Sequence, residues 1–275
     1  MFTLNCKGRL LVIREPLVMG IINVTPDSFF SGSRFNVVDD ILKQAEKMLN
    51  EGADIIDIGG QSTRPGSDLL SPGEEIKRIV PAIETITKRF PATFISVDTF
   101  YSTVAAAAVD AGACIINDIS GGSMDSKMMK TVASLKTPYI LMHMKGTPQN
   151  MQQNAAYDNV TTEVLDFFIA KTHELKQAGI TDVIIDPGFG FAKTIGHNFE
   201  LLKNLSVFKM LDKPVLAGIS RKSTIYKTLG TTAEEALNGT TVLNTVALMN
   251  GASILRVHDV KEAKEAITLI SAMNK

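Results

Sequence analysis

Short apolar runs rich in Val, Ile and Leu alternate with longer segments of helical period along almost the whole chain. The runs are Leu17–Val24, Asp54–Gly60, Thr93–Thr99, Cys114–Ser120, Tyr139–Met144, Asp182–Gly188, Val215–Ser220 and Ser253–Asp259. Each is continuously apolar rather than alternating, as strands of a parallel sheet covered on both faces are. Between them the spacing predicts helices over Val38–Glu51, Glu74–Arg89, Thr103–Ala111, Asp158–Ala178, Asn198–Leu211, Ala233–Asn250 and Val260–Asn274. Ile41, Ala45, Met48 and Leu49 form the apolar stripe of the first, and Gly179 marks the stop of the fourth.

Strand–helix alternation with short turns predicts parallel βαβ units. Eight such units fit the roughly 250 residues of a (β/α)8 TIM barrel, with a doubly wound open sheet as the alternative that shares the pattern. Phe2–Cys6 and Arg9–Ile13 flank Lys7-Gly8, which predicts an N-terminal β-hairpin plugging one end of the barrel. No linker or low-complexity tract interrupts the pattern, so a single domain over residues 1–275 is expected.

Each run carries a polar residue near its end: Asn23, Asp57, Asp98, Asn117 with Asp118, His143, Asp186, Ser220-Arg221-Lys222, and Arg256 with His258. In a barrel these are expected to converge on the C-terminal mouth, where active sites of this fold lie. Approach to solvent explains one or two polar strand ends. It explains poorly a carboxylate or amide set inside IIDIGG, SVDT or IINDIS, among residues that look buried. The segments that follow (NVTPDSFF, GGQSTRPGS, DISGG, HMKGTP and DPGFGF) combine Gly or Pro with hydroxyls and amides, which suits phosphate and heterocycle binding.

Composition narrows the chemistry. The 28 basic and 29 acidic residues nearly cancel, so no global field favours nucleic acid or an anionic membrane. No run is long enough to span a bilayer and no secretory cleavage pattern follows the N-terminus, so a cytoplasmic protein is expected. Two cysteines, Cys6 and Cys114, are too few for a disulfide scaffold or a thiolate zinc site. There is no P-loop, no G-x-G-x-x-G, no H-E-x-x-H and no G-x-S-x-G. Lys222 could form a Schiff base, but its polar neighbours Ser220, Arg221 and Ser223 favour a charged lysine.

The motifs MGIINVTPDSF, DIGGQSTRPGS, SVDTF, INDISGG, MHMKGTPQNMQ, DPGFGFAKT, GISRKS and ILRVHDV resemble, in order and spacing, those of the dihydropteroate synthase family. The resemblance runs from about Val18 to Val260. It implies a (β/α)8 barrel that condenses 6-hydroxymethyl-7,8-dihydropterin diphosphate with p-aminobenzoate. It further implies a pterin pocket of Asp98, Asn117, Asp186 and Lys222, with Met142 and Phe191 as apolar faces. Asn23, Arg64, Arg256 and His258, with Thr63 beside them, would hold the diphosphate, and Arg64, Lys222, Arg256 and His258 would be the catalytic set. Asn23 would be the protein ligand of Mg2+, and Ser220 and Arg221 would receive the p-aminobenzoate carboxylate. The loops Thr25–Phe35 and Ser62–Ser67 would close over the substrates. A cytoplasmic homodimer paired through the last helices, and a sulfonamide target, complete the implication.

One stretch departs from the family pattern. Where the family continues with an acidic residue after TPD, this chain reads Ser28-Phe29-Phe30-Ser31-Gly32-Ser33-Arg34-Phe35. Two other readings share the fold. One is a barrel that passes a methyl group from methyltetrahydrofolate to a corrinoid protein, which needs no diphosphate grip. The other is a catalytically silent paralogue that binds pterin without turning it over.

Overall fold

Every apolar run forms a strand, trimmed where its polar end leaves the ladder. After a hairpin of β1 (Phe2–Cys6) and β2 (Arg9–Ile13) come β3 (Leu17–Asn23), β4 (Ile55–Gly59), β5 (Phe94–Asp98) and β6 (Ile115–Asp118). β7 (Tyr139–Met142), β8 (Val183–Asp186), β9 (Leu216–Ala217) and β10 (Ile254–Val257) complete the set. The structure, a computed structural model, describes residues 1–24, 34–61 and 69–273. All ladders among β3–β10 are parallel, in the order β8-β7-β6-β5-β4-β3-β10-β9. A parallel bridge between Ile185 and Val215 joins the two ends of that order and closes a (β/α)8 barrel. Closure rules out the open doubly wound sheet.

The helices are α1 (Arg34–Asn50), α2 (Pro72–Arg89), α3 (Ser102–Ala111), α4 (Met128–Leu135), α5 (Val160–Gln177), α6 (Ile195–Lys203), α7 (Ser223–Leu229), α8 (Leu237–Met249) and α9 (Val260–Met273). Ser71 and Glu74 close a reciprocal capping box at the start of α2. Two helices escape the period, α4 and α7, because eight and seven residues give too few turns for a stripe to show. The single helix expected over Asn198–Leu211 is α6 followed by a 3-10 turn, Leu205–Leu211. Leu205, Phe208 and Leu211 recur every third residue, the period of that tighter helix, and all three pack on the core.

Alternation along each strand divides the interior in two. One set of side chains, including Val18, Ile56, Val97, Ile116, Leu141, Ile185 and Val257, packs outward against the helices. The other faces the barrel axis. At its lower end Met19, Ile55, Ile115, Ile140, Ile184, Leu216 and Ile254 meet Leu4, Cys6, Leu11 and Ile13 of the hairpin. Lys7 and Gly8 both have positive φ, 54° and 86°, the geometry that matches a two-residue turn to strand twist. Asn5 N–H donates to Asp182 Oδ2 (2.7 Å), Lys7 Nζ to the Val109 carbonyl (2.8 Å), and Arg9 to the carbonyls of Pro91, Ala92 and Thr93. The hairpin is thus a plug across the bottom of the barrel.

Candidate active site

Two residues beyond the lower layer, four strands present a polar inward side chain and β7 an apolar one. Ile55 is followed by Asp57, Ile115 by Asn117, Ile140 by Met142, Ile184 by Asp186 and Ile254 by Arg256. On β5, whose Phe94 packs on the lower cluster, Asp98 pairs in register with Gly59 and Asn117. Gly59 leaves the room Asp98 occupies, since a Cβ there would stand 3.3 Å from Asp98 Cβ.

Arg256 ties these strands together. Its Nε donates to Asp57 Oδ2 (2.7 Å), and Nη2 reaches both Asp57 Oδ2 and Asp98 Oδ2 (2.6 Å each). Asn117 Nδ2 donates to the same Asp57 oxygen (3.1 Å). Burial alone would lower the Arg256 guanidinium, but Asp57 and Asp98 outweigh it and hold it above its ordinary value. Burial pushes the Asp98 carboxyl up to about 7 against the pull of Arg256, and Asp57 adds to the rise. Arg256 Nη1 makes no hydrogen bond to a described residue, so a donor pair remains for a ligand.

The turn after β8 forms the opposite wall. Asp186 Oδ1 accepts from the Gly188 N–H (2.8 Å), and Asn198 Oδ1 accepts from the Gly190 N–H (2.7 Å). Gly188 (φ 73°) lies so close to the chain of β7 that a Cβ would meet the His143 carbonyl oxygen at 2.1 Å. Gly190 (φ 83°) lies under Lys222, whose Cδ would be 3.2 Å from a Cβ. Only glycine allows both approaches. Lys222 Nζ donates to the Phe189 carbonyl (2.5 Å) and stands 4.7 Å from the Phe191 ring centroid. Burial lowers its ammonium to about 8, with Asp186 opposing. Burial also raises Asp186, while Lys222, the Gly188 N–H, Arg256 and Lys193 restrain the rise. Met142 and Phe191 share a small apolar cluster with Phe100, Ile119, Met151 and Ala192.

At the rim, the His258 N–H donates to Ser220 Oγ (3.2 Å), and that hydroxyl lies 3.0 Å from His258 Nδ1. Ser220 thus fixes the orientation of the imidazole through both its backbone and its ring. His258 is exposed, yet the surrounding protein and then Arg256 lower its imidazole, with Arg221 and Lys222 acting the same way, so it is neutral near pH 7.

The structure brings Asp98, Asn117, Met142, Asp186, Phe191, Ser220, Lys222, Arg256 and His258 to one mouth, as the sequence predicts. Arg221 differs. Its guanidinium forks onto both oxygens of Asp259 (2.8 Å each) and donates to the Ala233 and Glu234 carbonyls. It braces the turn, with φ of 55°, rather than presenting a free fork. The expectation that every polar strand end faces the mouth fails at Asp118. That carboxylate is on the outer side of β6, accepting from the Tyr139 hydroxyl (2.8 Å) and from Ser120. Thr63, Arg64 and both expected lids, in their 25–33 and 62–68 segments, lie outside the described residues.

Two residues missing from the expected site stand out. Asp57 is fully buried and receives both Arg256 and Asn117, although the sequence marks it only as a polar strand end. Lys193, in DPGFGFAKT, is 3% exposed and packs behind the pocket. The signal for Asp57 was a charge inside an apolar segment; Lys193 carried none. Glu75, on α2, is also buried, against Gly60. Burial pushes its carboxyl up to about 7; Thr99 holds it down in part and Asp98 adds to the rise.

A closed barrel with a ring of buried carboxylate, amide and ammonium groups over an apolar floor defines a binder of a flat, polar heterocycle. The chain belongs to the pterin-binding enzymes, whose family profile matches residues 19–258. It is 44% identical to the dihydropteroate synthase of Escherichia coli K12 over 271 residues, 98% of this chain and 95% of that one. A Xanthomonas albilineans dihydropteroate synthase solved with 4-aminobenzoic acid superposes with a TM-score of 0.92 at 40% identity, covering 99% of this chain and 98% of that one. A Yersinia pestis dihydropteroate synthase in a sulfonamide drug complex gives the same score and identity, with 99% of each chain covered. Within the family, the chain groups with the dihydropteroate synthases.

Proposed function

We propose that the chain condenses 6-hydroxymethyl-7,8-dihydropterin diphosphate with p-aminobenzoate, giving 7,8-dihydropteroate and diphosphate. The observation that carries this reading is the convergence of Asp98, Asn117, Asp186 and Lys222 beside Met142 and Phe191, with the basic Arg256 and a neutral His258 at the outer edge. The carboxylates accept from the pterin amino and N–H groups, Asn117 serves either way, and Lys222 donates to a ring acceptor. Arg256 Nη1 and His258, joined by Arg64 and Thr63, draw the diphosphate to the other side of the methylene. The amine nitrogen attacks that methylene as the carbon–oxygen bond to diphosphate breaks, and the spare amine proton leaves to solvent. An arylamine is unprotonated near neutrality, so positioning and charge stabilisation supply the catalysis.

The acceptor carboxylate is assigned to the Ser220–Lys222 turn, which Arg221 stiffens through Asp259. The Xanthomonas relative carries the same amine, and the Yersinia relative a sulfonamide drug, which supports a sulfonamide-sensitive site here. Among the described residues no group of three or more His, Cys, Asp or Glu side chains could hold a metal. Asn23, exposed at the end of β3 and without a side-chain bond to any described residue, fits a site in which the protein gives one amide oxygen. Diphosphate oxygens and water would provide the rest, as suits Mg2+. When bound, the ion would neutralise leaving-group charge. Among the described residues no helix is long and apolar enough to cross a membrane, and we assign the chain to the cytoplasm. Exposed Leu229, Val242, Met249, Leu269 and Met273 on α7, α8 and α9 support a homodimer through those helices.

The test is diphosphate release from the dihydropterin diphosphate, with Mg2+, in the presence and absence of p-aminobenzoate. Release that depends on p-aminobenzoate is expected. Pterin binding without release would point to a silent paralogue, and methyl transfer from methyltetrahydrofolate to a corrinoid protein would select the other barrel.

A further inference from the structure

We propose that Lys193 is a positioning residue for pterin recognition, acting from behind the pocket on the Asp186–Phe191 turn. The inference rests on the pterin-binding reading of this mouth. Lys193 Nζ has three acceptors and three protons to give them: His143 Nδ1 at 3.0 Å, the Phe191 carbonyl at 3.0 Å and the His143 carbonyl at 3.3 Å. That geometry leaves His143 neutral with its proton on Nε2, and burial, followed by Lys193, drives its imidazole far below its ordinary value. His143 is itself buried and packs edge-on against Phe167, 4.9 Å between centroids. The lysine thus fastens the end of β7 to the backbone of Phe191, the aromatic face on the pocket side of the turn.

These bonds alone do not account for an ammonium. Removing one from water is costly, and no described carboxylate is in direct contact with Nζ. A Met or Leu would fill the same space without that penalty. Burial lowers the Lys193 ammonium to about 7, and Lys222 and Lys145 act the same way; Asp186 opposes them, and Lys193 in turn helps to restrain the rise of the buried Asp186. Asp186 must keep both oxygens as acceptors to receive two neighbouring donors of a pterin ring, and only the ionised carboxylate does so. Lys222 serves that end from the ligand side of the pocket. Lys193 serves it from the side no ligand touches, and sets the height of Phe191 at the same time.

The test is calorimetry of 6-hydroxymethylpterin, a probe without diphosphate, on wild type, Lys193→Met, Asp186→Asn and the double variant, with steady-state kinetics beside it. Lys193→Met should weaken pterin binding about tenfold, and the combined loss should fall well short of the product of the single losses because both act through one carboxylate. KM for the pterin substrate should rise, while kcat and KM for p-aminobenzoate stay within about twofold. A purely structural clip would lower the active fraction and leave pterin affinity alone. That result, or fully additive losses, would overturn the proposal. If Lys193→Met gives no cooperative melt, Lys193→Gln, which keeps two donors without the charge, enters the same cycle and is held to the same outcomes. Absence of diphosphate release by wild type, with the Lys193 effect on pterin binding intact, would fault the reaction and not this inference.

Discussion

The two ends of the barrel interior stand one strand repeat apart and follow opposite rules. At the bottom, Met19, Ile55, Ile115, Ile140, Ile184, Leu216 and Ile254 form a layer sealed by an equally apolar hairpin. At the mouth the same strands present Asp57, Asn117, Met142, Asp186 and Arg256. The bottom is dry and satisfied by packing. The mouth holds buried carboxylates, and atoms such as Asp57 Oδ1 and the neighbouring Ser96 Oγ have no hydrogen-bond partner among the described residues. Each such atom costs stability. Stability and recognition are therefore assigned to different heights of one scaffold, and a substitution should report which height it touches.

The largest effect is expected at the bottom. Ile140→Ala should cost about 2–5 kcal/mol in denaturant unfolding and leave pterin affinity of the folded protein unchanged. A loss of affinity as large as the loss of stability would mean the two heights are not separable. Asp186→Asn should do the reverse, weakening pterin binding by about 1–3 kcal/mol in calorimetry with little change in the unfolding midpoint. The smallest effect concerns pH. Folded, Glu75 keeps its proton up to about pH 7; unfolded, it releases it near the ordinary glutamate value. Its contribution is complete below that ordinary value and is lost as pH rises through about 7. Glu75→Gln should therefore gain on the order of 1–2 kcal/mol at pH 8 and nothing at pH 4. Ile140→Ala should show no such pH dependence, and a matching slope there would break the comparison.

The strands were legible because both their faces are covered, which makes each an unbroken apolar run, and because a buried charge such as Asp98 or Asp186 is conspicuous in one. What the runs do not contain is parity. Asn117 and Asp118 are adjacent and equally polar, and only the register with β5 and β7 decides that the first faces the axis and the second Tyr139. Asp57 showed the same limit: its position was readable, its two partners 60 and 199 residues away were not. The sequence shows the charge of Arg221 beside the expected carboxylate site but not its pairing with Asp259, 38 positions on. Lys193 lay beyond reach for a simpler reason. A lysine two residues past a glycine-rich turn looks solvated until the fold buries it.

The hairpin plug has a consequence for the order in which the molecule assembles. Its polar anchors lie far along the chain: Arg9 to Pro91 spans 82 positions, Lys7 to Val109 spans 102, and Asn5 to Asp182 spans 177. Its apolar face needs the lower ends of strands as distant as β10. Contacts so remote in sequence form only after the intervening chain has been ordered, because loop closure must precede the reward. The hairpin can pair with itself early, as a local turn, but it has no seat until the ring exists. In refolding, protection of the lower ends of β5 and β8 should therefore arrive with the slowest phase, making the plug a latch that records completion of the barrel.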